Sequence, residues 1–287
     1  MDQIKHKFYL INDQVFTTNT FKPEIINYGT TIYELIKIID CTPLFLEKYL
    51  KRIQNSLKLI KKHDWINKKE IIEKIRFIIK KNQINSEDHL KILVSFNNPL
   101  VPQFSQFIAM FFTTVPLPSP EQYLTGVQTI SLNAIRSMPN AKIYQPQLRQ
   151  RTEKMIQSKK IYEVILLNNN NDITEGSRSN IFFIDRNNNL ITPDLENVLP
   201  GITRDNVIEV AKKHNIKVIE RKVNYNELQK FISAFLTGTS RKILPISTID
   251  NYNFDSQNIL LRNLMKWYDD YIYEYLDKNR EQFVDLC

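Results

Sequence analysis

The chain has 287 residues, 42% hydrophobic and 24% charged, a globular composition that excludes disorder, collagen and coiled coil for the whole and predicts two domains sharing an interface. Lys and Arg number 39 against 31 Asp and Glu, a net charge of +8; they are dispersed, which argues against nucleic acid and suits an anionic, phosphate-bearing ligand. The five glycines, Gly29, Gly126, Gly176, Gly201 and Gly238, lie too far apart for a G-x-G-x-x-G turn or a G-x-x-x-x-G-K loop, so P-loop hydrolysis and the usual Rossmann dinucleotide site are excluded.

In chain order, Phe8–Ile11, a turn at Asn12-Asp13 and Val15-Phe16 predict a hairpin. An apolar, β-rich stretch runs from Ile32 to Ile39. Thr42-Pro43 offers a helix start, a cap followed by proline at the first helical position. Leu46, Leu50, Ile53, Leu57 and Ile60 then form one buried helical face. Asn67 opens a second helix with Ile71, Ile75, Ile78 and Ile79 inward, and strands are predicted over 90–96 and 107–114. Lys61-Lys62 and Lys80-Lys81 fall at helix ends, where the dipole favours them.

The run Val115-Pro-Leu-Pro-Ser-Pro120 predicts an extended, semi-rigid connection, since proline neither continues a helix nor donates to a sheet. The expected organisation is a small N-terminal α/β domain over 1–118, a linker over 119–126 and a larger domain over 127–287. Beyond the linker the pattern favours strands at 127–131, 162–167, 181–184, 217–223, 231–236 and 243–249. Helices are expected over 146–159, 203–214 and 256–279. Asn168–Asn171 with Asp172 reads as a polar turn between strands. The fold class is α+β, a mixed α/β arrangement in two unequal parts.

Several chemistries are struck off. Cys41 and Cys287 form no C-x-x-C or Cys/His cluster, which excludes disulfide scaffolds and zinc modules and fits a reducing compartment. The N-terminus has no apolar signal region, and no run reaches the ~18 apolar residues of a membrane span; a cytoplasmic location is expected. His6, His63, His89 and His214 do not cluster. His63 and His214 follow lysines at predicted helix ends, where dipole compensation accounts for them. The aromatic-rich C-terminal segment, Trp267 with Tyr268, Tyr271, Tyr273 and Tyr275, reads as packing.

Two turns suit an anion. Leu199-Pro200-Gly201-Ile202-Thr203-Arg204-Asp205 opens a helix whose first N–H groups lack internal partners, and glycine there permits close approach; a plain capped helix with Thr203 as cap accounts for the same residues. Thr237-Gly238-Thr239-Ser240 ends a predicted strand and offers hydroxyls and N–H groups, though an ordinary turn has the same composition. Together, without a P-loop, they suggest a phosphorylated cofactor.

The ordered set Ile173-Thr174-Glu175-Gly176-Ser177-Arg178-Ser179-Asn180-Ile181-Phe182, Ile191-Thr192-Pro193 and Leu199-Pro200-Gly201-Ile202-Thr203-Arg204 resembles the signature of class IV (fold-type IV) pyridoxal-phosphate aminotransferases. That group includes branched-chain aminotransferases, D-amino acid aminotransferases and aminodeoxychorismate lyases. Tyr28-Gly29 with Tyr33-Glu34, the helix carrying Arg52, Pro139-Asn140-Ala141-Lys142 and Thr237-Gly238-Thr239 also fall in order, and the likeness spans about residues 28–249. It implies a two-domain D-amino acid aminotransferase-like fold, pyridoxal 5′-phosphate as cofactor, amino acid and 2-oxo acid substrates, and a homodimer with active sites at its interface. No nucleic acid and no membrane are implied.

By this resemblance Lys142 is the Schiff-base lysine that also shuttles the substrate proton. Arg136 is the rival by position, but an arginine stays protonated and cannot form that bond. Glu175 faces the pyridine nitrogen and keeps it protonated. Arg52, Gly201, Ile202, Thr203 and Thr239 serve the phosphate, Leu199 packs on the ring, and Asn180 belongs to the cofactor site. Tyr33, Lys91 and Ser240 fall on the substrate side. Branched-chain members often carry Asn-Tyr four and five residues after the lysine, the phenol meeting the ring oxygen. Here Pro146 and Gln147 stand there, leaving Tyr144 or Gln145 as replacements. The stretch Asn97–Gln103 lacks the Arg-x-His carboxylate trap of D-amino acid enzymes. Lys91 in the preceding strand can stand in for the arginine of branched-chain enzymes, though it neutralises a carboxylate without forking onto it. The first reading is a transaminase, with branched-chain L-amino acids as candidate donors. The alternative is an aminodeoxychorismate lyase releasing pyruvate, and a third, opposed by the dispersed charge, is a basic nucleic-acid-binding protein without catalysis.

Overall fold

The hairpin at the start of the chain forms as its pattern dictates. Ile4–Ile11 (β1) pairs antiparallel with Gln14–Thr17 (β2) across Asn12, which takes φ +52°, a left-handed conformation asparagine tolerates. The computed structural model describes residues 3–62 and 66–286; the expectations placed on His63 and Cys287 lie outside them. Thr30–Ile39 (β3), Thr42–Pro43 (β4), Asp88–Phe96 (β5) and Gln106–Thr113 (β6) complete a six-stranded antiparallel sheet in the order β2-β1-β6-β5-β3-β4. All nine residues of β5 are buried. Leu46–Leu59 (α1) and Lys68–Lys81 (α2) bury the apolar faces read from their periodicity, α2 starting under an Asn67 side chain that accepts from the Lys69 N–H.

The expected start of α1 is corrected. Thr42-Pro43 is no helix cap, because Ile38 pairs with Pro43 and Ile39 with Thr42 across a tight turn in which Asp40 and Cys41 both take positive φ. The chain first reverses along β3, and the helix begins only after Phe45, itself at φ +52°.

The second sheet is mixed. After the extended prolines, Ser119 and Gln122 close a capping box on Pro120–Thr125 (α3), so most of the predicted linker is a short helix. Val127–Asn133 (β7), Pro146–Lys159 (α4), Glu163–Leu167 (β8), Asp172–Gly176 (β9), Asn180–Asp185 (β10), Leu190–Thr192 (β11), Ile202–Lys213 (α5), Val218–Glu220 (β12), Val223–Asn224 (β13), Phe231–Gly238 (β14), Lys242–Ile249 (β15), Tyr252–Asn253 (β16) and Ile259–Asn279 (α6) follow. The strand order is β12-β11-β10-β14-β15-β7-β8-β9-β13, with β16 on β15. The pairs β11–β12, β15–β7 and β7–β8 are parallel. The single strand predicted over 217–223 is two, β12 and β13, on opposite edges. One core of this sheet gathers Ile165, Ile181, Phe183, Leu236, Leu244 and Ile246.

Two compact units result, and neither is contiguous. The first comprises residues up to Pro116, Ala141–Tyr144 and the chain from Ile272; the second comprises Leu117–Asn140 and Gln145–Tyr271. The short return of Ala141–Tyr144 has a simple cause. The parallel strands β7 and β8 require a long crossover, and part of that crossover is claimed by β3. The C-terminal residues group with the first unit through Tyr275, whose hydroxyl donates to Glu47 Oε2 at 2.7 Å and whose ring meets Phe45 at 4.5 Å.

Candidate active site

In the first unit Ala141–Tyr144 lies along β3. The Tyr33 N–H donates to Lys142 O at 3.1 Å, the Tyr144 N–H donates to Thr31 O at 2.8 Å, and Ile143 bridges Ile32. The Lys142 N–H donates to Ser56 Oγ on α1 at 3.1 Å. Its backbone is thus held on two sides, and Nζ lies over the Tyr33 ring, 4.7 Å from the centroid. Tyr33 pairs with Leu93 and Leu35 with Lys91, so Tyr33 and Lys91 are diagonal neighbours on one sheet face. The ammonium of buried Lys91 accordingly reaches 5.5 Å from the same ring, and Tyr144 meets that ring edge-on at 5.8 Å.

Glu34 follows on the strand and is fully buried. Arg52 on α1 forks onto it, Nε donating to Oε1 at 2.8 Å and Nη2 to Oε2 at 2.5 Å. Burial works against the Arg52 charge, but the Glu34 carboxylate outweighs it and holds the guanidinium pKa above its ordinary value. The two parallel bonds of this fork fix the plane of the guanidinium.

In the second unit Glu175, 2% exposed near the end of β9, is anchored on both oxygens. Oε1 accepts from Arg136 Nε at 2.7 Å, and Oε2 accepts from the Leu199 N–H at 3.2 Å and Asn180 Nδ2 at 3.5 Å. Arg136 also donates to Ser177 O at 3.1 Å, and Asn180 donates to Leu199 O at 2.9 Å. Asn180 therefore ties Glu175 and Leu199 together.

Gly201 is the N-cap of α5, and no side chain caps that end; the alternative with Thr203 as cap is corrected, because Thr203 already lies inside the helix. A Cβ on Gly201 would stand 1.9 Å from Asn180 Oδ1, so only glycine lets the asparagine and the helix start meet. The N–H groups of Ile202, Thr203 and Arg204 have no partners within the helix. Thr239 and Ser240 lie half-buried in the turn between β14 and β15, and Thr237 just before them keeps its hydroxyl buried without a hydrogen-bond partner. The Arg204 side chain donates to Pro193 O at 3.0 Å and Glu220 Oε2 at 2.7 Å. Among the described residues no group of three or more His, Cys, Asp or Glu could hold a metal ion, and no helix is long and apolar enough to cross a membrane.

The amino-transferase class IV family model matches residues 31–249, an interval that takes in every residue from Tyr33 to Ser240 described above. The chain belongs to the class IV aminotransferases. A probable branched-chain-amino-acid aminotransferase of Aquifex aeolicus is 27% identical over 271 residues, covering 88% of this chain and 85% of that protein. One from Thermotoga maritima is 36% identical over 151 residues, covering 50% of this chain and 54% of that protein. The fold is that of the branched-chain amino acid aminotransferase from Thermobaculum terrenum solved in its PLP-form, with a TM-score of 0.79 at 21% identity over 97% of this chain and 98% of that one.

As a class IV aminotransferase the protein is an enzyme of amino-group transfer, and the Thermobaculum terrenum structure was solved with pyridoxal 5′-phosphate. The residues of this chain fit that group. The opening of α5 and the orphaned Thr237 hydroxyl are donors a phosphate would satisfy, and the anchored Glu175 carboxylate suits a ring nitrogen. Sequence reading missed three residues of the aminotransferase: Arg136, weighed only as a rival to Lys142; Glu34, quoted only in a motif; and Thr237, noted only as part of a turn. Of the two replacements considered for the family tyrosine, Gln145 donates to Ser137 O at 2.6 Å, and Pro146 is the first residue of α4. Of the C-terminal aromatics expected to pack, Trp267 stacks on His214 at 3.8 Å, Tyr271 bonds Glu209 at 3.1 Å and Tyr268 is buried, whereas Tyr273 is exposed and the packing expectation is corrected there.

Proposed function

We propose that the enzyme moves an amino group between a branched-chain L-amino acid and a 2-oxo acid, acting as a cytoplasmic homodimer. The observation that carries the chemistry is Glu175, buried and held on both oxygens next to the uncapped start of α5. When bound, pyridoxal 5′-phosphate supplies the electron sink for negative charge developing at the substrate Cα.

In this reading the Lys142 amine, based on a backbone pinned to β3 and Ser56, takes the proton from the substrate Cα and returns it. Glu175 holds a proton on the ring nitrogen, with Arg136, Asn180 and the Leu199 N–H fixing its direction. The N–H groups of Ile202 and Thr203, the Thr239 hydroxyl and Arg52 hold the phosphate, Gly201 allows its close approach, and the Leu199 side chain packs on the ring. Tyr144 takes the ring oxygen, because Gln145 is committed to Ser137. Tyr33 lines the substrate side, while the Ser240 N–H and Lys91 receive carboxylates. The names of the relatives support leucine, isoleucine and valine as donors, and Lys91 supports an acceptor with a second carboxylate, such as 2-oxoglutarate.

A panel of L- and D-amino acids assayed with 2-oxoglutarate and with pyruvate tests this. Turnover should be highest for the branched-chain L-amino acids. No transfer from any donor, with pyruvate released from aminodeoxychorismate, would assign the lyase reaction instead. Light scattering should return twice the chain mass of 34.0 kDa.

A further inference from the structure

The second unit buries a charge cluster that the proposed proton transfers do not use. Glu163, the first residue of β8, is fully buried. It accepts from Ser177 Oγ at 2.6 Å on Oε1, and from Ser179 Oγ at 3.2 Å and Arg241 Nη1 at 2.8 Å on Oε2; Arg178 Nε lies 3.9 Å from Oε2. Ser177, Arg178 and Ser179 form the turn directly after Glu175. Arg241 directly follows Thr239 and Ser240. A single carboxylate, rooted where β8 pairs with β7 through Glu163 and Thr129, therefore holds both turns.

The packing is close on each side. A Cβ on Gly176 would stand 2.1 Å from Ser179 Oγ and 3.2 Å from Glu163 Cγ, so the first turn is pressed onto the glutamate. The Arg241 guanidinium lies 5.4 Å from the Tyr162 ring centroid, and Arg241 O accepts from the Tyr123 hydroxyl at 3.0 Å, so the second turn is held through both the side chain and the backbone of Arg241. Burial pushes the Glu163 carboxyl up, yet Arg178, Arg241 and the Ser177 hydroxyl outweigh it and hold it at about 2. The group is a carboxylate at any working pH, and two guanidinium charges share it.

We infer that Glu163 is a positioning residue for the cofactor: through Ser177, Ser179 and Arg241 it sets the turn that follows Glu175 against the turn that bears Thr239 and Ser240. This rests on the assignment of Glu175 to the ring nitrogen and Thr239 to the phosphate. A carboxylate serves better than an amide here because all its neighbours donate, and an amide nitrogen would face donors.

The test compares the full-length holoenzyme with Glu163→Gln, Arg241→Gln and the double variant, reading pyridoxal 5′-phosphate dissociation, visible circular dichroism of the bound cofactor and the thermal midpoint of the cofactor-free chain. Each single variant should bind the cofactor at least about tenfold more weakly with an altered visible signal, since a displacement of ~1 Å in a positioned group costs of the order of a hundredfold. The double variant should be no worse than either single, because one loss already opens the clamp. Single variants that bind with wild-type affinity and an unchanged visible signal, showing only a lower thermal midpoint, would overturn the inference. If Glu163→Gln does not fold, Ser177→Ala carries the same comparison, since it leaves both guanidiniums paired. Failure of the wild-type chain to bind pyridoxal 5′-phosphate would sink the functional reading itself, and this inference with it.

Discussion

Arg136 Nε and Glu175 Oε1 lie 2.7 Å apart, and that ion pair orients the carboxylate assigned to the ring nitrogen. A carboxylate has about four lone-pair sites, so the bonds from Arg136, Leu199 and Asn180 leave it able to accept a further donor from one direction. Arg136→Met should lower kcat by about 10- to 100-fold, as expected for a misaligned group, with KM little changed. Glu175→Gln should cost more, roughly 10²–10³-fold, because the stabilising charge itself is gone. Steady-state kinetics on both variants check the order; Arg136→Met slower than Glu175→Gln would place Arg136 nearer the chemistry than proposed.

Lys142→Ala should abolish measurable turnover, a loss of at least about 10⁴-fold for removal of the proton-transfer group. Borohydride treatment followed by peptide mass mapping should attach the cofactor to the wild-type chain at Lys142 and leave the variant unlabelled. Labelling elsewhere, or full turnover by the variant, contradicts the assignment.

Gly201→Ala forces its new Cβ against Asn180 Oδ1, 1.9 Å away. Asn180 must then give up its bond to Leu199 O or shift the start of α5. Destabilisation of about 1–3 kcal/mol is expected for such overpacking, together with weaker cofactor binding. Thermal unfolding with and without pyridoxal 5′-phosphate measures both, and a variant indistinguishable from wild type would show that the close approach is relaxed in solution.

Two buried groups make the fold acid-sensitive in separate windows. Burial, then the nearby Lys37 charge, lowers His89 from 6.5 to about 4, and Glu163 is held at about 2 against an ordinary 4.5. Both folded values lie below the unfolded ones, so each contribution is complete above the unfolded pKa and disappears as pH falls through the folded pKa. At 1.36 kcal/mol per pH unit each gap is worth on the order of 3 kcal/mol. Urea unfolding at a series of pH values should show stability falling from pH 6.5 to about 4 and again from 4.5 towards 2. His89→Gln should flatten the upper limb alone.

The sequence by itself determined whatever depends on short spacings. The apolar face of α1, the Asn67 cap, the asparagine turn and the motif around Glu175 all lie within a few residues of the groups they serve, so local propensity and periodicity read them; the Ser119 capping box of α3 escapes that reading because the surrounding prolines read as extended chain. Tertiary structure decided what depends on pairing between distant segments. Thr42-Pro43 looks like a helix start until β3 takes it as a strand, and Lys142 owes its fixed base to hydrogen bonds with Tyr33 and Ser56. Arg136 meets Glu175 across 39 residues, and Arg241 meets Glu163 across 78. A buried charge needs a partner wherever the fold can bring one, because leaving it alone costs several kcal/mol. Residue spacing along the chain carries no trace of which partner that will be.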